Sequence, residues 1–473
     1  MTIRTRIAPS PTGIAHLGTA YIAMRNYAIS KQGSGQFVIR IEDTDRGRYV
    51  EGAVEVIFEA MKWLGIPNDE GPNVGGPYAP YTQSERLPIY QEKAKELVAK
   101  DKAYYCFCTK ERLDEVRAAQ SAAKELPRYD KFCRHLTKEQ VQEKFDVQTP
   151  FVIRLKVPES GVTICQDAVR GAVEFQNSGI DDQVLIKSDG YPTYHLAVVV
   201  DDYLMQITHI IRGEEWLSST PKHVIIYQAF GWELPIFAHL PVIRNVDHSK
   251  MSKRKNDVSI LSHRDRGYLP EALNNFMALM GWSHPDKKEI FSLDEFLEKF
   301  TLERVTLTAP VYDIEKLNWL NGQYIRALSN DELINRLAPF VPSDCPKELV
   351  GKILPLIKER LVTLKDFESL TDFFYRDITV DQGILTKKST AEEVQSQLSQ
   401  TMAIFHSIDE NNWNVEQLET SVRDLAISKE WKPSQYFMML RVAVTSKTAT
   451  PPLFETMVVL GRDKVLKRLI KTH

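Results

Sequence analysis

The alternation of the first hundred residues is the strongest constraint on the fold. Residues 3–7 read as a short strand, Thr12-Gly13 breaks it, and a helical stretch runs from about 19 to 32 until Gly33-Ser34-Gly35. Residues 37–41 form a second buried strand, and Val54, Ile57, Phe58, Met61 and Leu64 then recur at helical spacing up to Gly65. Strands separated by helices predict an α/β, doubly wound parallel sheet of the Rossmann type. The pattern breaks between 104 and 190, which holds all but one of the five cysteines and strand candidates such as 151–157, so this segment reads as an inserted α+β lobe. Sheet character returns at 207–211, and Thr220-Pro221 opens a helix that ends near Gly231. Past 260 strands fade; Leu333, Leu337 and Phe340, then Ile353, Leu356 and Ile357, recur at helical spacing and predict helical bundles. The expected division is therefore a sheet domain in two halves, 1–103 and 191–245, a lobe at 104–190, a loop and helical segment at 246–328, and an all-helical region at 329–473.

At roughly 100–200 residues per domain, 473 residues imply several domains rather than one core. Hydrophobic residues at 43% and charged residues at 26% exclude a disordered chain. A net charge of -3 excludes a polybasic tail protein while leaving room for a local basic cleft. Five cysteines are too few, and odd in number, for a disulfide framework. The opening residues carry Arg4, Arg6, Pro9 and Pro11 where an export signal needs an apolar stretch, and the apolar run 196–200 is far short of the ~20 residues that cross a bilayer. A cytoplasmic protein with no membrane segment is expected.

Three clusters carry chemistry. Pro9-Ser10-Pro11-Thr12-Gly13-Ile14-Ala15-His16-Leu17-Gly18-Thr19 lies between the first strand and its helix, at the carboxyl end of a sheet strand where nucleotides bind. Gly18 would let a nucleotide approach the backbone, and His16 can donate to phosphate oxygens. Lys250-Met251-Ser252-Lys253-Arg254-Lys255 offers mobile ammonium groups suited to charge building up on a triphosphate. Taken singly, the first also suits a surface turn and the second a solvated loop. Cys106-Phe107-Cys108 and Cys133-Arg134-His135 place three thiols and an imidazole in two tight pairs, a donor set for one closed tetrahedral Zn2+ site. Four ordinary side chains remain the alternative. Cys165 and Cys345 have no partner motif and read as inert core residues.

Together, His-x-Gly-x after the first strand and Lys-Met-Ser-Lys-Arg further along resemble the paired signatures of class I aminoacyl-tRNA synthetases, although Leu17 and Thr19 depart from the usual His-Ile-Gly-His. The blocks at 6–13, 40–46, 188–195 and 211–216 narrow the resemblance to the bacterial-type glutamyl-tRNA synthetases, over essentially the whole chain. That resemblance implies ATP-dependent activation of L-glutamate to glutamyl-adenylate, with Mg2+ on the ATP, then transfer to the 3′ end of glutamate tRNA, with activation waiting for bound tRNA. It implies His16, Gly18, Lys250, Lys253 and Arg254 as the catalytic set, and Pro9, Ser10, His16, Gly18, Thr19, Met251, Ser252 and Lys253 around ATP. Arg6, Ser10, Glu42, Tyr194 and Arg212 would hold glutamate, Arg212 pairing bidentately with the side-chain carboxylate and Glu42 meeting the ammonium. Val198 stands where some members have asparagine. By the same resemblance, a structural zinc on Cys106, Cys108, Cys133 and His135 organises the lobe that meets the tRNA acceptor end, 246–328 contacts the tRNA stem, and 329–473 reads the anticodon. Arg360 sits on a helix there and inspects the third anticodon base. The implied state is a monomer. The alternatives are a relaxed relative that also charges glutamine tRNA, a small-molecule nucleotidyltransferase, and a noncatalytic zinc-dependent RNA-binding protein. The last two have no use for the full set of blocks.

Overall fold

The structure is a computed structural model and describes residues 2–249, 251 and 258–472. It divides into two compact units, one formed by Met1–Arg264 with Leu273–Ile314 and the other by Asp265–Ala272 with Glu315–His473.

In the first unit, strands β1 (Arg4–Ile7) and β2 (Gln36–Ile39) pair in parallel through helix α1 (Leu17–Gln32), as the alternation predicts. Helix α2 (Ala53–Trp63) follows, and Gly65 sits just past its end at φ +72°, a conformation that favours glycine. After helix α3 (Leu87–Ala99), strand β3 (Ala103–Cys106) opens the cysteine-bearing segment, which contains helices α4 (Lys110–Ala122) and α5 (Lys138–Asp146). Strand β4 (Val152–Leu155), strands β5 (Val162–Asp167) and β6 (Gly171–Gln176), and strand β7 (Val184–Ile186) complete it. Helix α6 (Tyr194–Leu204), strand β8 (His209–Gly213), helix α7 (Thr220–Phe230) and strand β9 (Ile236–Leu240) then close the unit's sheet.

The large sheet has the order β2-β1-β8-β9-β5-β6, parallel except for the antiparallel edge hairpin β5–β6. That hairpin departs from the expected division. Asp167 pairs with Phe237, so residues 162–176 belong to the large sheet, and the separate antiparallel sheet is only β3-β4-β7. The expected lobe at 104–190 is thus two pieces around a returning hairpin. Likewise the expected 246–328 segment is shared, since 273–314 packs with the first unit and 315–328 with the second.

Helix α6 is buried along its centre: Leu196, Ala197, Val198, Val199 and Val200 are all buried, in a cluster with Tyr90, Leu97 and Ile226, and Asp201 and Asp202 follow them toward its end. Packing into that core, rather than helix propensity, keeps the valine run helical. The second unit is helical, from Asn330–Leu337 to Arg462–Thr472, around a core that includes Leu333, Ile353, Phe405, Tyr436 and Leu469. Cys165 and Cys345 are buried and unpaired, as expected of core thiols. No helix among the described residues is long and apolar enough to cross a membrane.

Candidate active site

Parallel pairing carries the site residues to one end of the sheet. Beyond β1 and β2, Arg40 N–H donates to the Ile7 carbonyl and Glu42 N–H to the Pro9 carbonyl, so Glu42 stands beside the first signature. Arg212, near the end of β8, lies next to β1 in the sheet. A cavity of about 710 Å³ opens there, lined by Arg6, Pro9, Ser10, His16, Gly18, Thr19, Glu42, Tyr194, Arg212 and Met251. Every described residue expected around ATP or glutamate therefore borders one space. Lys250, Ser252, Lys253 and Arg254 lie outside the described residues.

His16 is the N-cap of α1, extended at φ -78° and ψ 142°, and its Nδ1 accepts the Gly18 N–H at 3.0 Å. In the neutral ring the proton is thereby assigned to Nε2. A Cβ on Gly18 would come within 3.3 Å of that Nδ1. The cap also means that the first N–H groups of α1 are engaged within the chain. Leu17 N–H donates to the Val258 carbonyl at 2.7 Å and Ile260 N–H to the Ala15 carbonyl at 3.0 Å. Of the residues in and just after the second signature, Met251 lines the same cavity and Val258 is bonded to Leu17 through the backbone.

The two arginines expected to meet glutamate differ. Arg6 is already compensated: its Nε and Nη2 donate to Asp202 at 3.0 and 3.1 Å, and Asp202 also receives Arg40 at 2.8 Å. Burial works against an ionised Asp202, but Arg6 and Arg40 outweigh it and hold its carboxyl below the ordinary range. Glu42 accepts from Arg40 at 3.3 Å, yet burial prevails over Arg40 and Arg6 and raises its pKa to about 7. Arg212 donates to His239 Nε2 at 3.0 Å, Tyr194 Oη at 3.1 Å, His223 Nδ1 at 3.3 Å and Thr220 Oγ1 at 2.9 Å. Both histidines are uncharged, because burial and the arginine itself push them down. Among the described residues, then, this buried guanidinium has only neutral partners. The expected bidentate pair is modified: four of its five N–H groups are taken, leaving one on Nη2. Tyr194, which accepts from Arg212, has its own O–H to donate, and the two together can hold a carboxylate. Val198 is buried in α6.

In the cysteine-bearing segment, the sulfurs of Cys106, Cys108 and Cys133 all lie within 4.8 Å of one another, with Cys108 and Cys133 at 3.5 Å. Tetrahedral zinc with bonds of about 2.3 Å requires sulfurs about 3.8 Å apart, so the donors fit. His135 does not join them. It is exposed, at the end of the 3-10 turn Phe132–His135, outside the thiol cluster. The oxygen beside the thiols is Tyr129 Oη, 3.3 Å from Cys106 Sγ and 3.6 Å from Cys108 Sγ, with the Cys133 N–H donating to it at 2.9 Å.

In the second unit, Arg360 occupies a 3-10 turn, Lys358–Arg360, rather than the expected helix. It borders a cavity of about 540 Å³ with Arg266, Tyr268 and Lys365, and it lowers the pKa of Arg441 after burial does. Neither Arg266 nor Arg441 stands out in the sequence, because both are single arginines without a motif.

Comparison with known proteins agrees with this arrangement. The family model described as tRNA synthetases class I (E and Q), catalytic domain, matches residues 2–319, and the anticodon binding domain model matches residues 332–472. A glutamate–tRNA ligase of Dehalococcoides mccartyi strain CBDB1 is 47% identical, covering 99% of this chain and 96% of its own. One from a strain of Thermus thermophilus is 46% identical, covering 98% of each. A crystal structure of a glutamate tRNA ligase from Elizabethkingia meningosepticum, in complex with its amino acid, superposes with a TM-score of 0.92 at 35% identity, covering 100% of this chain and 99% of the other. The chain belongs to the class I tRNA synthetases of the glutamate and glutamine type.

Proposed function

We propose that this protein is a glutamate–tRNA ligase whose amino-acid choice rests on Arg212. The observation that carries the reading is the buried guanidinium surrounded by neutral acceptors, beside an Arg6 that Asp202 has already neutralised. The side-chain carboxylate of glutamate supplies the missing charge, on the Arg212 Nη2–H and the Tyr194 O–H, and Glu42 receives the ammonium. An amide in place of the carboxylate leaves the guanidinium unpaired, at a cost of about 3–5 kcal/mol.

ATP lies along the first signature, against Pro9, Ser10, Gly18 and Thr19, with His16 Nε2–H donating to phosphate oxygens and Lys253 following the charge that develops on them. An oxygen of the substrate α-carboxylate attacks the α-phosphorus, the bond to the bridging oxygen breaks, and pyrophosphate leaves with Mg2+. A ribose hydroxyl at the tRNA 3′ end then attacks the acyl carbon and AMP departs. No protein nucleophile takes part; the residues position reactants and stabilise charge.

Cys106, Cys108 and Cys133 hold a structural zinc with Tyr129 at the fourth position, a cross-link that ties the short β3-β4-β7 sheet to the turn at Phe132–His135 for contact with the acceptor end. Arg360 reads the anticodon and confines the enzyme to glutamate tRNA. The protein acts in the cytoplasm as a monomer, as the family resemblance implies. Pyrophosphate exchange with glutamate or glutamine, with and without each purified tRNA, tests the reading. Exchange that requires glutamate and glutamate tRNA supports it; exchange driven by glutamine, or none with any combination, refutes it.

A further inference from the structure

Behind Arg212 stands a chain of groups that the reaction itself does not touch. Asp167 is the last residue of β5, and β5 lies beside β9, so its carboxylate reaches His239, which pairs with Arg212 across β8 and β9. Asp167 Oδ2 accepts the His239 Nδ1–H at 2.6 Å and the His239 backbone N–H at 3.0 Å, while Oδ1 accepts the backbone N–H groups of Val169 and Arg170, each at 2.9 Å. Burial opposes ionisation of Asp167, but these donors outweigh it and keep the carboxyl below its ordinary range. An ionised Asp167 can only accept, so the imidazole proton must sit on Nδ1 and Nε2 must carry the lone pair. That lone pair takes the Arg212 Nε–H at 3.0 Å. Both His239 and Asp167 are nearly inaccessible to solvent, so water cannot substitute for either bond.

We propose that Asp167 and His239 are positioning residues for glutamate selection: the carboxylate sets the imidazole tautomer, and the tautomer fixes the guanidinium at the orientation in which its remaining Nη2–H meets the substrate carboxylate. Thr220 Oγ1 secures the same Nη2 at 2.9 Å, so rotation about the Arg212 Nε bond is restrained from two sides. Among the described residues the arrangement also keeps Arg212 without a direct anionic partner. A carboxylate in contact with the guanidinium would compete with the substrate, whereas one an imidazole away orients it and leaves its charge available.

The inference rests on Arg212 as the glutamate-binding cation, and the test separates the two. Asp167→Asn keeps the shape but supplies an amide that can donate to Nδ1, which moves the proton to Nε2 and turns it against the Arg212 Nε–H. In tRNA-dependent pyrophosphate exchange, the glutamate KM is expected to rise about ten- to a hundredfold, the loss of one charge-assisted hydrogen bond. The ATP KM should change less than about twofold. His239→Leu, which removes the acceptor but leaves Asp167 bonded to three backbone N–H groups, should shift the glutamate KM the same way. Adding His239→Gln to Asp167→Asn offers an amide carbonyl to Arg212 without a tautomer to set, and should recover most of the loss; a merely structural pair would lose more in the double variant. Unchanged glutamate KM in both single variants, or glutamate and ATP KM values rising together, overturns the proposal. Arg212→Ala run alongside decides the underlying reading: if it too leaves glutamate kinetics normal, the pocket assignment fails, and if it alone disrupts them, only the Asp167–His239 role falls.

Discussion

Glu42 and Arg212 face one cavity with opposite electrostatic problems. Among the described residues the Arg212 guanidinium has no anionic partner, while Glu42 is held so deeply that burial raises its pKa to about 7, against the pull of Arg40 and Arg6. In its proposed role Glu42 would meet the substrate ammonium only when ionised, and that ammonium remains protonated well above neutrality. The fraction of binding-competent enzyme therefore grows as pH rises through about 7. We predict that kcat/KM for glutamate increases about tenfold per pH unit below that point and levels off above it, and that Glu42→Gln removes the dependence while weakening glutamate binding. A profile that falls between pH 6 and 8 would contradict the assignment. Such a value is not legible in the sequence, where Glu42 is one member of an acidic, arginine-flanked block; it depends on Asp201, Asp202 and Arg40 sharing one buried network.

Among the elements, the local ones were readable. Turn chemistry alone marks α1 between the proline-rich loop and Gly33, and α7 between Pro221 and Gly231, because proline and glycine act within a few residues. Pairings across long separations were not. Nothing near Asp167 indicates that β5 returns to the large sheet, and that pairing is what brings Asp167 to His239. His135 shows the converse: its spacing from Cys133 suggests a ligand, while the residue lies exposed at the end of a 3-10 turn, outside the thiol cluster. The thiol cluster predicts one zinc per chain by atomic emission. Cys108→Ser should abolish it, whereas His135→Ala should retain it in full; loss in the second variant would restore the histidine as a ligand. For the signature loop, Lys253→Ala is expected to slow adenylate formation by about two to three powers of ten, the typical cost of one lost charge-stabilising donor, and a wild-type single-turnover rate would exclude that role.

In the whole molecule, the residues proposed for the reaction and those proposed to read tRNA lie in different units. The first unit carries the cavity, and the second carries Arg360 with Arg266, Lys365 and the nearby Arg441, cations grouped where a nucleic acid can be read. Arg360→Gln should therefore leave exchange with glutamate and glutamate tRNA near wild type while glutamine tRNA becomes a substrate for charging; unchanged discrimination would remove Arg360 from that task. The account's central claim, an uncompensated guanidinium that selects a dicarboxylic amino acid, is tested most directly by the glutamate dependence of pyrophosphate exchange in Arg212→Ala. Loss of that pair corresponds to a fall in kcat/KM for glutamate of roughly a hundredfold to a few thousandfold, with ATP binding retained. Glutamate kinetics indistinguishable from wild type would contradict it.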